Sequence, residues 1–190
     1  VVLLPGIMGS NISVNEKLVW INYLRFLAGD LNKININATS TDAPTLIKTS
    51  YGKLVKYLQQ SYDVVTFAFD WRIQLNTTAV KLKDKIEELL TYKQPIKIIG
   101  HSMGGVLVRD FMVTQKTTWN KLNQSAGFKL VFLGSPLGGS YRIPFVLMGF
   151  DGIIDKLAKL DIFHNKKDLL NIFAKFPGLL SLLPFAADKD

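Results

Sequence analysis

The stretch PIKIIGHSMGGVLV, residues 95–108, decides the fold. Its first half, residues 96–99, is a short β-branched run that reads as a buried strand. Its second half opens a helical pattern that continues over residues 103–115. Between them sit Gly100, Ser102 and Gly104, spaced as G-x-S-x-G in a strand–turn–helix context. A serine at the apex of such a turn holds its hydroxyl clear of the backbone. The residues two positions to either side must lack a Cβ, because strand and helix nearly touch there. The helix start also aims free N–H groups and a positive dipole end at the space where negative charge would develop. A helix-capping serine is the bland alternative. The strand before Ser102 and the pair Gly104-Gly105 after it favour a nucleophile.

Working outward, residues 1–4 read as an apolar strand ending at Pro5-Gly6. Residues 64–69 read as a second strand closed by Asp70-Trp71-Arg72, and Lys129–Leu133 as a strand running into residues 134–140. Apolar spacing predicts helices over 51–60 and over 77–92, the latter capped by Asn76, and further helices at 153–160 and 169–174. Residues 7–50 read as irregular, apart from an amphipathic piece over 20–27. Strands alternating with amphipathic helices predict an α/β fold with a parallel sheet covered on both faces. Chemistry in such sheets sits at the carboxyl ends of the strands, where the unusual residues of this chain collect.

A chain of 190 residues suffices for one domain with a substantial core. It is 48% hydrophobic, yet its most apolar stretch, 169–187, is interrupted by Asn171, Lys175, Pro177, Gly178 and Pro184, which excludes a spanning helix. The net charge of +8 is scattered singly. Lys81, Lys83 and Lys85 share their helix with Asp84, Glu87 and Glu88, so a solvated face is expected and nucleic acid is not. The absence of cysteine excludes disulfides and thiolate metal sites, and no metal or other cofactor is expected. The chain opens directly in a strand without Met, which reads as an excised segment. Its compartment is left open, with a cytoplasmic or peripheral-membrane location favoured over a disulfide-bonded secreted form.

The loop over residues 5–10 has neither G-x-G-x-x-G nor a Walker lysine, so it does not read as a phosphate site. It reads as half of an oxyanion hole, in which backbone N–H groups of Ile7 and Met103 would hold the charge on a substrate carbonyl. Asp70, Trp71 and Arg72 read as a brace: an Arg–carboxylate bond and a packed indole. His101 adjoins the serine but lies on the wrong side of the turn to serve as its base. His164 could pair with Asp151, Asp155 or Asp161, but its region has no strand character. It reads as a surface or lid residue, and the catalytic acid and base are expected beyond Asp190.

Six motifs in order, VVLLPGIMGSNI, LVWINYLRFLAGDL, FAFDWR, IIGHSMGGVLVRDF, LGSPLGGS and FPGLLSLLP, resemble the lecithin:cholesterol acyltransferase family of α/β-hydrolases, in its bacterial lipase-like branch. The resemblance implies an α/β-hydrolase fold, incomplete at the carboxyl end. Residues 1–140 would form the amino-terminal part of the core, with an irregular insertion at 7–50, and residues 141–190 a helical lid or cap. It implies Ser102 as nucleophile, Ile7 and Met103 as oxyanion donors, and Gly6, Asp70, Trp71, Arg72, Gly100, His101, Gly104, Ser135, Gly138 and Gly139 as residues shaping the site. The family's catalytic Asp and His have no match in the chain. The implied function is a serine-dependent lipid ester hydrolase or acyltransferase working through an acyl-enzyme, the segment alone being inactive. Its substrate would be a lipid or other acyl ester, met in transient contact with a membrane or lipid surface. The alternatives are a non-catalytic lipid-binding pseudo-hydrolase and a short-chain carboxylesterase. Phe145, Phe150, Phe163, Phe173, Phe176 and Phe185 are expected to present the apolar surface of the lid.

Overall fold

The computed structural model describes residues 1–185; residues 186–190, the end of the expected cap, lie outside the described residues. In chain order its elements are β1 (Val2–Leu4), β2 (Ile12–Val14), β3 (Lys17–Trp20), α1 (Tyr23–Leu27), a 3-10 turn (Asp30–Ile34), β4 (Thr41–Asp42) and α2 (Lys48–Leu58). There follow β5 (Val65–Thr66), α3 (Leu75–Thr91), β6 (Lys97–His101), α4 (Met103–Thr114), α5 (Lys116–Asn123) and β7 (Lys129–Leu133). The last stretch holds four short helices, α6 (Arg142–Leu147), α7 (Gly152–Leu160), α8 (Lys166–Phe173) and α9 (Pro177–Leu180).

β5, β1, β6 and β7 form one parallel sheet in that order, with helices on both sides, an architecture of the α/β-hydrolase type. The period of two in β1 sends its side chains to both faces. Val2 and Leu4 enter the main core with Ile98, Leu82 and Leu107, while Leu3 turns the other way, to Leu46 and Tyr51 of the α2 side. Register sets the strand ends side by side: Leu4 lies opposite Gly100, and His101 opposite Leu133. The loops starting at residues 5, 67, 102 and 134 therefore leave one edge of the sheet.

Several element boundaries differ from the sequence reading. The stretch 7–50 is not irregular: β3, β2 and β4 form a small antiparallel sheet. Asn15 and Glu16 both have positive φ, 48° and 63°, so they make the mirror-image turn that suits a tight hairpin without the usual Asn-Gly. Asn76 is not the cap of α3. The helix starts at Leu75, and the Asn76 side chain accepts from the neighbouring Thr77 N–H at 2.7 Å. α2 begins three residues earlier than expected, because its polar first turn of Lys48, Thr49 and Ser50 gives no apolar signal. β5 keeps only two residues of the strand expected over 64–69. α5 carries only Thr118 and Leu122 as buried positions, too sparse a stripe to read.

The stretch after β5 joins the sheet to the last helices. Arg72 is 1% exposed and its guanidinium meets the Asp70 carboxylate twice, at 2.9 and 2.6 Å, while donating to the carbonyls of Ile34 and Asn35. A buried cation is tolerable only when its donors are filled in this way. Trp71 is fully buried among Trp20, Phe173 and Phe176, and its indole N–H donates to the Ser10 carbonyl at 3.2 Å. Phe173 and Phe176 are thus core residues and do not form an outward lid surface; their helical turns face Trp71. Phe145, Phe150, Phe163 and Phe185 are exposed. Arg72→Leu should destabilise the protein by about 3–5 kcal/mol in urea unfolding, because the Asp70 carboxylate is left without its partner. Arg72→Lys should recover only part of that loss, since an ammonium cannot supply the planar fork.

Candidate active site

β6 ends at His101 and α4 begins at Met103, so the entire turn is Ser102, at φ 50° and ψ −120°. Positive φ at a residue with a Cβ costs on the order of 1–3 kcal/mol and persists only where its surroundings enforce it. Here the Ser102 N–H donates to the Leu133 carbonyl at 2.9 Å, carrying the β6–β7 ladder one residue past the strand end. The Ser102 carbonyl accepts from Gly105 at 3.0 Å. The first turn of α4 passes directly over β1. A Cβ on Gly104 would lie 2.6 Å from the Pro5 oxygen, and one on Gly100 would lie 2.8 Å from the Gly105 Cα. Ser102 itself is half-buried, at the carboxyl edge of the sheet.

The loop after β1 lies against this turn; a Cβ on Gly6 would come within 3.0 Å of both His101 Nδ1 and the Ser102 Cβ. Gly6 is held from both sides. Its N–H donates to the Tyr51 hydroxyl at 2.7 Å, and its carbonyl accepts from Gly9 at 3.0 Å. Because a peptide unit is planar and trans, fixing the Gly6 carbonyl also fixes the Ile7 N–H, which points the opposite way. The Met103 N–H is one of the first four donors of α4 and has no partner within its own helix. Among the described residues neither the Ile7 nor the Met103 N–H donates a hydrogen bond.

The Tyr51 hydroxyl also lies 2.8 Å from His101 Nδ1. Having accepted from Gly6, the hydroxyl still has its own proton to give, and a neutral imidazole with its proton on Nε2 can take it at Nδ1. Partial burial holds His101 below the usual histidine range, favouring the neutral ring, and burial pushes the Tyr51 phenol up. Ser135 donates through its hydroxyl to the Gly100 carbonyl at 3.0 Å and so sits beside the turn.

The structure thus gathers Gly6, Gly100, His101, Ser102, Met103, Gly104 and Ser135 around one point. Asp70, Trp71 and Arg72 stand further out, as the brace described above. Gly138 has open space around it, while Gly139, at φ 93°, packs against Leu183 and Pro184. The Ser140 N–H donates to the Leu182 carbonyl at 2.8 Å, and the Arg109 guanidinium donates to the Leu137 carbonyl. His164 is engaged locally. Its Nδ1 lies 3.0 Å from both oxygens of the buried Asp161 carboxylate, which also accepts from the Phe163 and His164 N–H groups. Among the described residues no three His, Asp or Glu side chains converge as a metal site would require. Sequence reasoning missed Tyr51 and Arg109. Tyr51 shares a helical face with Leu54, Val55 and Leu58, so its hydroxyl is hidden behind a core-like pattern.

The family profile described as lecithin:cholesterol acyltransferase matches residues 43–188. Among curated proteins, phosphatidylcholine-sterol acyltransferase of Gallus gallus is 38% identical over 87 residues, covering 44% of this chain and 20% of that protein. The Mus musculus enzyme of the same name is 34% identical over 87 residues, covering 44% and 19%. The aligned region is about a fifth of the length of these relatives. No solved structure matches at a significant level. These relatives also correct the expected compartment, since they point to a secreted form and not to a cytoplasmic one. Lack of cysteine removes disulfides, but it carries no information on export. Among the described residues no helix is long and apolar enough to cross a membrane.

Gly104→Ala should lower stability by on the order of 3 kcal/mol in urea unfolding, because its new methyl group would meet the Leu4 and Pro5 carbonyl oxygens, which cannot retreat. Gly138→Ala, with nothing within 4 Å of the new methyl, should stay within about 0.5 kcal/mol of the parent.

Proposed function

The chain belongs to the lecithin:cholesterol acyltransferase family, and we propose that it carries the nucleophile and oxyanion hole of an enzyme that cleaves or transfers acyl groups of lipid esters. The observation that carries this reading is the backbone of Ser102, strained on a one-residue turn beside two unclaimed N–H groups.

In this reading the Ser102 hydroxyl attacks the ester carbonyl carbon while a general base takes its proton. The carbonyl oxygen becomes an oxyanion, held by the Ile7 and Met103 N–H groups and by the positive end of α4. Collapse expels the alcohol, which leaves with the proton, and the acyl group stays on Ser102 as an ester. Water or an acceptor alcohol then attacks that ester, giving a free acid or a new ester and restoring the serine. Two donors fixed before the reaction act on the transition state more than on the flat ground-state carbonyl, which is the condition for raising kcat. His164 is not assigned as the base of this reading, because among the described residues its ring bonds to Asp161, on the turn between α7 and α8, and not to Ser102.

Residues 141–185 are proposed as the cap over this site. Tyr141, Phe145, Phe150 and Phe163 expose large apolar surfaces there, which suits contact with lipid aggregates.

Ser102→Ala in the full-length enzyme should abolish fluorophosphonate labelling and reduce ester turnover by several orders of magnitude. Equal labelling of parent and variant would sink the assignment. His164→Ala should leave turnover within about threefold of the parent, since it touches no reacting atom. Phe145→Ser combined with Phe150→Ser should spare soluble short-chain esters and reduce turnover on phosphatidylcholine vesicles; equal loss on both substrates would argue against the cap.

A further inference from the structure

Resting on that reading of Ser102, we infer that Tyr51 is a positioning residue of the reaction, its hydroxyl clamping the oxyanion loop to the serine turn.

Three elements distant in sequence meet at that one oxygen. Tyr51 comes from α2, Gly6 from the loop after β1, and His101 from the residue before the turn. The hydroxyl accepts from Gly6 at 2.7 Å and reaches His101 Nδ1 at 2.8 Å, so its two bonds tie one half of the oxyanion hole to the strand end that presents Ser102. Tyr51 is 7% exposed, and its ring packs against the same loop: a Cβ on Gly9 would lie 2.9 Å from it. The α2 start is itself tied to that loop, since the Ile47 N–H donates to the Gly9 carbonyl and the Tyr51 N–H to the Ile47 carbonyl. The Gly6–Ile7 peptide is consequently held by Gly9 through its oxygen and by Tyr51 through the preceding N–H. Losing the Tyr51 bond leaves the Gly9 bond, and with it the direction of the Ile7 N–H within its own loop, but it unties that loop from the strand end that presents Ser102. The Ile7 N–H then no longer keeps a fixed place relative to Ser102. Preorganisation is lost while the substrate pocket stays intact, so the cost should fall on kcat and not on KM.

The test is Tyr51→Phe in the full-length enzyme, which removes one oxygen and keeps the packed ring. Kinetics on a soluble nitrophenyl ester are compared with the affinity of an alkylboronic acid, which forms a tetrahedral adduct on a nucleophilic serine. Removing an oxyanion donor outright costs about 100- to 1000-fold. A residue that only aims one should cost roughly 10- to 50-fold in kcat, with KM held within about twofold and boronate affinity weakened in step with kcat. His101→Phe cuts the clamp at its other end and leaves the Tyr51–Gly6 bond in place. It should cost about 3- to 10-fold, and the double variant should be no worse than Tyr51→Phe alone, because both act through one bridge. Parental kcat and boronate affinity in Tyr51→Phe, or a raised KM at constant kcat, would overturn the inference. If Tyr51→Phe does not fold, His101→Phe decides the matter: parental kcat there overturns the clamp. Ser102→Ala run alongside separates the two layers. Full turnover in that variant defeats the nucleophile itself, whereas an inert Ser102→Ala beside an unimpaired Tyr51→Phe defeats only the clamp.

Discussion

The close passage of the first turn of α4 over the end of β1 is the constraint from which the rest of the structure follows. With no side chain at Gly104, the helix settles onto the Leu4 and Pro5 carbonyls, and the chain has a single residue in which to turn from strand to helix. Ser102 takes the whole bend. Its unfavourable φ is not a local choice; it is imposed by the pairing of β6 between β1 and β7 below it and by the seated helix above. The same contact brings the loop after β1 alongside the serine, because β1 and β6 are neighbours in the sheet. The geometry of the serine turn and that of the loop after β1 are therefore two results of one packing decision.

A second layer keeps that arrangement in register. Trp71 and Arg72 leave the sheet beside the site but turn away from it, toward the insertion on one side and the last helices on the other. The indole and guanidinium both end on backbone carbonyls, of Ser10 and of Ile34 and Asn35. A side chain that binds backbone constrains the path of the chain more than one that binds another side chain, since carbonyls move only when the main chain does. The insertion over 7–50 thus becomes part of the core through Trp20, Phe26, Leu31 and Ile34, although its own strands are only two to four residues long.

The sheet and the sharp turn were legible in the amino-acid sequence because each has a steric signature. β-Branched runs mark the buried strands, and glycines spaced around a serine mark a crossing too tight for Cβ atoms. What escaped reading lacks such a signature. The antiparallel insertion is built on a hairpin turn of Asn15 and Glu16, which no glycine announces. Phe173 and Phe176 were read with Phe145 and Phe150 as one apolar set, because composition counts side chains without giving their direction; only the partner, Trp71, distinguishes core from surface. Tyr51 was invisible for a related reason. In an amphipathic helix a buried tyrosine and a buried leucine satisfy the same pattern, and the hydroxyl that ties three elements together adds nothing to it.

The final helices are stapled at two points, the Gly178 N–H to the Arg72 carbonyl at 2.9 Å and the Ser140 N–H to the Leu182 carbonyl at 2.8 Å. Residues 141–177 are accordingly a long excursion whose two ends are fixed in the same neighbourhood. The entropy of closing such an excursion grows only with the logarithm of its length, so doubling it costs about 0.6 kcal/mol. Insertions in the loops between α6 and α8 are therefore thermodynamically cheap, provided that they leave the staples and the buried contacts of Ile154, Leu157, Leu169 and Phe173 in place. Variation in chain length between homologues should accumulate there, since residues added in those loops leave the sheet unaltered.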